Sequence, residues 1–346
     1  MTALADAIKK VATGPHLSKD LSTEELVAVM QEILSGDADE VRAATFLIAL
    51  RMKGETNAEN LGVLQALQQH TQQLEVAVND LLVYSDPFNG FNRQCPMSVF
   101  MLPVLAAAGL PVMSQGVQSM GPKFGVTHAQ VLHAAGMRQQ PLATAKLRLE
   151  DPSIAWAYVD QSVASPAVFQ LQDLRERIIK RPTVATLEKM LMPLRGQRNH
   201  LMIGFVHKAY PSLLGWLVNH SDFDTAMIMR GVEGGVIPTL RELSKNYQVL
   251  DGELTEWHLD PLSFAIKQNT RGVQPMADKV TATETLQRGM QALSGHTGPA
   301  RDSLVYGAAA ALCHCGLHAD ALSAANHVRA LLDSGKALQQ FERGIT

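Results

Sequence analysis

Cysteine is scarce in this chain of 346 residues: only Cys95, Cys313 and Cys315 are present. Three such residues cannot build a disulfide framework and suit a reducing compartment, so a cytoplasmic location is expected. Long apolar runs are also missing. The longest, such as Ala226–Met229, are far too short to span a bilayer, and no membrane partner is expected. The start, MTALADAIKK, is amphipathic and has no uninterrupted apolar stretch, which speaks against a secretory signal. Aromatic residues make up only 5% of the chain, so a platform on which bases stack is poorly supported beyond Phe88 and Phe91. A net charge of −3 excludes a protein that is basic all over. Cys313-His314-Cys315 resembles a metal motif in composition, yet positions i and i+2 of a helix point apart, and no metal site is assigned there.

What is present begins with three well-punctuated helices. Ser22 with Glu25, Asp37 with Glu40 and Thr56 with Glu59 each read as a helix start, and Gly36 and Gly54 as stops. After Gln73 the pattern becomes strand–helix–strand. Leu81–Tyr84, Pro111–Met113, Leu201–Val206 and Ala226–Met229 read as strands, with helices near 104–108, 129–135 and 213–218 between them. Such alternation predicts a largely parallel sheet covered on both faces. Residues 247–259 read as an antiparallel excursion. The C-terminal stretch is helical again, with Asp302 as the expected cap of one helix and a final helix near 326–332. The fold class is therefore α/β: a small all-helical domain and a larger α/β domain with a mostly parallel central sheet.

Charge is distributed unevenly. Between Arg175 and Lys208 eight basic residues face two acids, giving +6 locally and leaving −9 on the rest of the chain. A cleft lined by one sign concentrates ligands of the other, whereas a solvated helix face is the plainer account of the same run.

Several stretches resemble the anthranilate phosphoribosyltransferase family, part of the glycosyl transferase family 3 superfamily. They are Leu21–Thr56, AAAGLPV at 106–112, Gly116 with Lys123-Phe124-Gly125, R-x-x-I-I-x-R at 175–181 and DSGKAL at 333–338. The resemblance implies a nucleoside phosphorylase or phosphoribosyltransferase-like fold. Residues 1–75 would form the helical domain, joined by a returning segment near 165–195, and residues 76–346 the α/β domain, commonly as a homodimer through the helical parts.

The family's site is altered in four places. Its G-T-G-G-D phosphate loop corresponds to Asp86-Pro87-Phe88-Asn89-Gly90, where proline lacks an N–H, phenylalanine fills space and Asp86 would repel pyrophosphate. Its K-H-G-N-R-S becomes Ser114-Gln115-Gly116-Val117-Gln118-Ser119. Its magnesium-binding acid pair falls at Val236-Ile237, which lack the oxygen donors a hard cation needs. A histidine pair is replaced by Ala164-Ser165. The resemblance thus narrows to the YbiB-type branch of the family, which implies non-catalytic, sequence-tolerant binding of DNA or RNA in a basic groove. Arg175, Arg177, Lys180, Arg181, Lys189, Lys208, Arg230 and Lys123 are then the expected phosphate contacts, with no cofactor, no metal and no catalytic residue assigned. The alternative is a glycosyl or phosphoribosyl transferase acting on a different phosphorylated or nucleotide-like substrate, with Glu233 as a carboxylate in the same cleft. A scaffold whose dimer is its function is a third reading.

Overall fold

The computed structural model describes residues 2–14 and 16–346. It opens with four helices, α1 (Ala3–Val11), α2 (Thr23–Leu34), α3 (Glu40–Lys53) and α4 (Asn57–Gln69). Capping boxes at Ser22/Glu25 and Thr56/Glu59 start α2 and α4, each satisfying backbone donors that the first turn leaves orphaned. The cap of α3 is Asp39, which accepts from the Arg42 N–H, and not Asp37 as expected. Asp37 is already engaged by the Ser35 hydroxyl at 2.9 Å. Glu59 does more than cap. Fully buried, it also accepts from the Leu21 N–H and from Lys53 Nζ, tying three parts of the bundle together. Helices α2 and α4 approach closely at Gly62, where an added Cβ would lie 2.5 Å from the Leu26 Cβ and 2.6 Å from the Thr23 carbonyl oxygen.

Nine strands follow: β1 (Leu74–Glu75), β2 (Asp80–Ser85), β3 (Val112–Gly116), β4 (Trp156–Asp160), β5 (Leu194–Arg195), β6 (Arg198–Gly204), β7 (Thr225–Met229), β8 (Ser244–Leu250) and β9 (Glu253–Leu259). Seven form one sheet in the order β4-β3-β2-β6-β7-β8-β9, parallel from β4 to β7 and antiparallel from β7 onward. β1 and β5 make a separate two-residue parallel ladder. The parallel strands are apolar on both faces because both faces are covered. In β2, Leu81 and Val83 join the core shared with the helical bundle, while Leu82 and Tyr84 join the core beneath the C-terminal helices.

Three C-terminal details differ from the sequence reading. The helix over residues 299–314 starts at Pro299, three residues before the expected cap; proline suits the first helical position because its missing N–H would be orphaned there anyway. Asp302 sits inside the first turn and accepts from Gln268 Nε2 at 2.6 Å. The helix near 326–332 spans Ala321–Asp333, and a further one, Lys336–Ile345, buries Ala337, Gln340, Phe341 and Gly344. Strand β4, with Trp156 fully buried, was also not anticipated. His314 hydrogen-bonds the Thr225 hydroxyl at 2.9 Å, and burial pushes the neighbouring thiols up, Cys313 to about 11 and Cys315 to about 12. Among the described residues no group of three or more His, Cys, Asp or Glu side chains could hold a metal ion, and no helix is long and apolar enough to cross a membrane.

Gly62 provides a test of the bundle. Glycine to alanine within a helix normally stabilises by about 1 kcal/mol, but here the Cβ would meet packed atoms. Gly62→Ala should instead cost on the order of 1–3 kcal/mol through overpacking and lower the thermal midpoint. A raised midpoint would show that α2 and α4 can separate freely.

Candidate functional site

Successive crossovers carry the chain from β2 to β3 and β4 on one side, and from β6 to β7 on the other. The sheet therefore changes direction between β2 and β6, and ligands of open α/β sheets bind at the carboxyl ends of strands at such a point. A cleft of about 180 Å³ opens there. One wall is the loop after β2, with Pro87, Phe88 and Asn89; another is the end of β6 and the segment after it, with Gly204, Phe205, Val206, His207 and Tyr210. The helical bundle contributes Arg51, and the returning chain contributes the stretch from Lys180 to Lys189.

The basic residues singled out from the sequence have diverse fates. Arg175 does not face solvent: it is buried and bound twice by Glu188, at 2.7 and 2.8 Å, with Gln161 adding a third hydrogen bond to the same carboxylate at 3.0 Å. Breaking such a buried pair from one side costs about 3–5 kcal/mol, so this guanidinium holds the cleft wall rather than offering a free charge. Arg177 lies outside the cleft and pairs with Glu40 at 2.7 Å and Asp173 at 2.9 Å. Lys208 and Arg230 are exposed but line no part of the cleft. Lys123 pairs with Glu233 at 2.6 Å and lies over the Phe91 ring at 5.4 Å. Of the basic residues singled out from the sequence, only Lys180 and Arg181 are exposed at the mouth without an ion-pair partner among the described residues. Both follow Ile179, whose φ of +62° is unusual for a β-branched residue, and the Lys180 N–H reaches back to the Ile178 carbonyl at 2.6 Å. Arg51 joins them by donating to the Arg181 carbonyl. No sequence signal marked Arg51, because 130 residues separate it from its partner.

Lys189 is recessed into the cleft and only 7% exposed. Its Nζ donates to the Gly204 carbonyl at 2.8 Å, and no carboxylate among the described residues pairs with it. Burial pushes its ammonium down to about 8, against partial support from the charges of Asp86 and Glu188.

The loop after β2 differs from expectation in one respect. Asp86 does not point at a ligand. It accepts from Ser98 Oγ, from His128 Nε2 at 2.9 Å and from the Val236 N–H at 3.0 Å. Burial alone would raise its carboxyl, but His128, Ser98 and that N–H hold it below the ordinary range. Phe88 packs with Val117, Met120 and Phe169, an apolar cluster where the sequence comparison placed a phosphate loop. Gly90, at φ +72°, lies so close to the 125–126 backbone that a Cβ would meet the Gly125 carbonyl oxygen at 2.3 Å. Glu233, also at positive φ, accepts from the Asn92 and Arg93 N–H groups at 3.2 and 2.7 Å, so its carboxylate is committed.

Residues 5–71 match the model of the glycosyl transferase family helical bundle domain, and residues 90–338 match that of the family's a/b domain. The chain belongs to the glycosyl transferase family. Within this family it is 29% identical to the anthranilate phosphoribosyltransferase of Lachnoclostridium phytofermentans, over 94% of this chain and 95% of that one. It is 27% identical to that of Thermomicrobium roseum, over 98% and 95%. Among solved structures, the Thermus thermophilus anthranilate phosphoribosyltransferase superposes with a TM-score of 0.79 at 21% identity, covering 100% of this chain and 98% of that one. The Saccharomyces cerevisiae enzyme in complex with PRPP and Mg superposes with a TM-score of 0.82 at 16% identity, covering 99% and 96%. Both share the fold: a helical N-terminal domain and a larger α/β domain.

These relatives overturn the expectation of DNA or RNA binding, because they are enzymes acting on small substrates and nothing among them points to nucleic acid. The physical reason lies in the pairings above. Arg175, Arg177 and Lys123 are spent on carboxylates, Lys189 is recessed, and Lys208 and Arg230 stand apart, so the local +6 forms no continuous groove. Nor do the side chains at the family's magnesium position fit a cation. Val236 and Ile237 are apolar, and the Val236 N–H is turned to Asp86.

The unpaired buried amine has a measurable consequence. The folded pKa of Lys189 lies below its unfolded value of 10.5, so between pH 8 and 10.5 the unfolded chain binds more protons and stability rises with pH. The cost, about 3 kcal/mol, is full below pH 8 and gone above 10.5. Urea titrations should therefore show Lys189→Met gaining on the wild type at pH 7 and losing up to that advantage by pH 10.5. A pH-independent difference would mean that the amine is not desolvated.

Proposed function

We propose that this chain is a glycosyl or phosphoribosyl transferase that holds a phosphorylated or nucleotide-like substrate in the cleft between β2 and β6, with a specificity other than anthranilate. One observation carries the reading: Lys180 and Arg181, beside Arg51, put unpaired positive charge at the mouth of a cleft lying at the sheet's switch point. Guanidinium and ammonium donors suit phosphate oxygens, and hydrogen bonds to such charged groups are worth about 1.5–3 kcal/mol each. Transfer at a sugar carbon depends on positioning and on charge stabilisation, both of which a walled cationic cleft supplies. A different specificity is supported by Pro87, which cannot donate an N–H, and by Phe88, which occupies the place of small residues. We take residues 1–75 and 76–346 as the two domains, joined by the returning segment near 165–195, and the cytoplasm as the setting that suits three free cysteines.

Calorimetric titration with inorganic phosphate, phosphoribosyl pyrophosphate and nucleoside 5′-monophosphates tests this. At least one phosphorylated ligand should bind, and Lys180→Ala combined with Arg181→Ala should weaken it by at least about 10- to 100-fold, the equivalent of one charged hydrogen bond. Absence of binding by every phosphorylated ligand, or equal binding by the double variant, would refute the reading. Consumption of anthranilate with phosphoribosyl pyrophosphate and magnesium would instead give this chain the reaction its relatives are named for.

A further inference from the structure

Two lysines of this chain are nearly buried, and their surroundings differ. Lys53 Nζ is clasped by Asp20 at 2.6 Å and by Glu59 at 2.9 Å, as a structural ammonium requires. Lys189 opens on a cleft and has no such partner among the described residues. Every carboxylate near it is committed elsewhere: Glu188 to Arg175, Asp86 to His128 and Ser98, and Glu233 to Lys123. The charge of Arg181 further disfavours its protonated form. Its one hydrogen bond, to the Gly204 carbonyl, uses a donor that the neutral amine keeps, and leaves the nitrogen lone pair unengaged.

We propose that Lys189 is an imine-forming residue, whose amine condenses with the open-chain aldehyde of a phosphorylated aldose seated in the cleft. The inference rests on the reading of the mouth as a phosphate site. Lys180, Arg181 and Arg51 hold the phosphate, and the sugar extends inward toward Gly204. The Nζ lone pair attacks the carbonyl carbon, forming a C–N bond while the π pair moves to oxygen. That oxygen then leaves as water with the two amine hydrogens, and the nitrogen closes the C=N bond, so no oxidant or reductant is consumed. An aldehyde is favoured over a ketone because the recessed amine reaches only an unhindered carbon. The depressed ammonium supplies free amine near neutral pH, the property shared by lysines that form Schiff bases.

Wild-type protein incubated with ribose 5-phosphate and cyanoborohydride, which traps an imine as a stable secondary amine, provides the test by peptide mapping. The adduct should form on Lys189 at least about tenfold faster than on the exposed Lys208 and Lys279, since free amine is far more abundant there. Ribose without phosphate should lose that preference, inorganic phosphate should suppress it, and Lys189→Arg should abolish it. Adducts spread evenly over exposed lysines would overturn the proposal. If ribose 5-phosphate binds by calorimetry without an adduct on Lys189, this inference alone fails. If neither it nor inorganic phosphate, phosphoribosyl pyrophosphate or a nucleoside 5′-monophosphate binds, the phosphate-site reading fails with it.

Discussion

Asp86 accepts hydrogen bonds from the Ser98 hydroxyl, from the His128 ring and from the backbone of Val236, joining three segments at the carboxyl ends of the sheet. A carboxylate taken wholly out of water is costly unless each lone pair finds a donor, and here the donors come from separate parts of the chain. The cleft exists because those parts are held at fixed separation. Around this anchor the loop after β2 can turn its apolar side, Phe88, toward Val117 and Met120 without collapsing. The Arg175–Glu188 pair plays the matching part on the opposite wall. Both are charges turned inward, and together they leave the mouth cations free of internal competition.

Much of the fold was legible because its signals are local. Capping boxes at Ser22 and Thr56, apolar runs such as Leu81–Tyr84 and the glycine stops depend on neighbours within a few residues. Strand β4 escaped because WAYVD is short and carries an acid at its end, and the Lys336–Ile345 helix because its buried set includes Gly344 and Gln340. The Gly344 position becomes intelligible only against the Trp156 ring, against which the helix backbone lies.

The site was legible as a location and not as a charge pattern. Counting cations along the sequence gave a basic stretch, but ionic partners are set by folding. Glu188 lies thirteen residues from Arg175, Glu40 lies 137 residues from Arg177, and Glu233 lies more than a hundred from Lys123. Each pairing removes a charge that a linear count still includes. Asp86 shows the converse: an acid that reads as repelling a ligand is withdrawn by groups from 12 to 150 residues away.

The two-residue ladder between β1 and β5 gives the molecule a mechanical property. The chain leaves the helical bundle through β1 and returns from it through β5, and these two crossings lie side by side, bonded at Leu74–Leu194 and Glu75–Arg195. Two parallel straps side by side resist shear and separation, and the apolar core that the bundle shares with Leu81 and Val83 of β2 holds it against turning about them. Arg51, carried by the bundle, is held in place at the mouth by its bond to the Arg181 carbonyl. The opening of the cleft is thus set by the same pair of crossings that carries the chain past it.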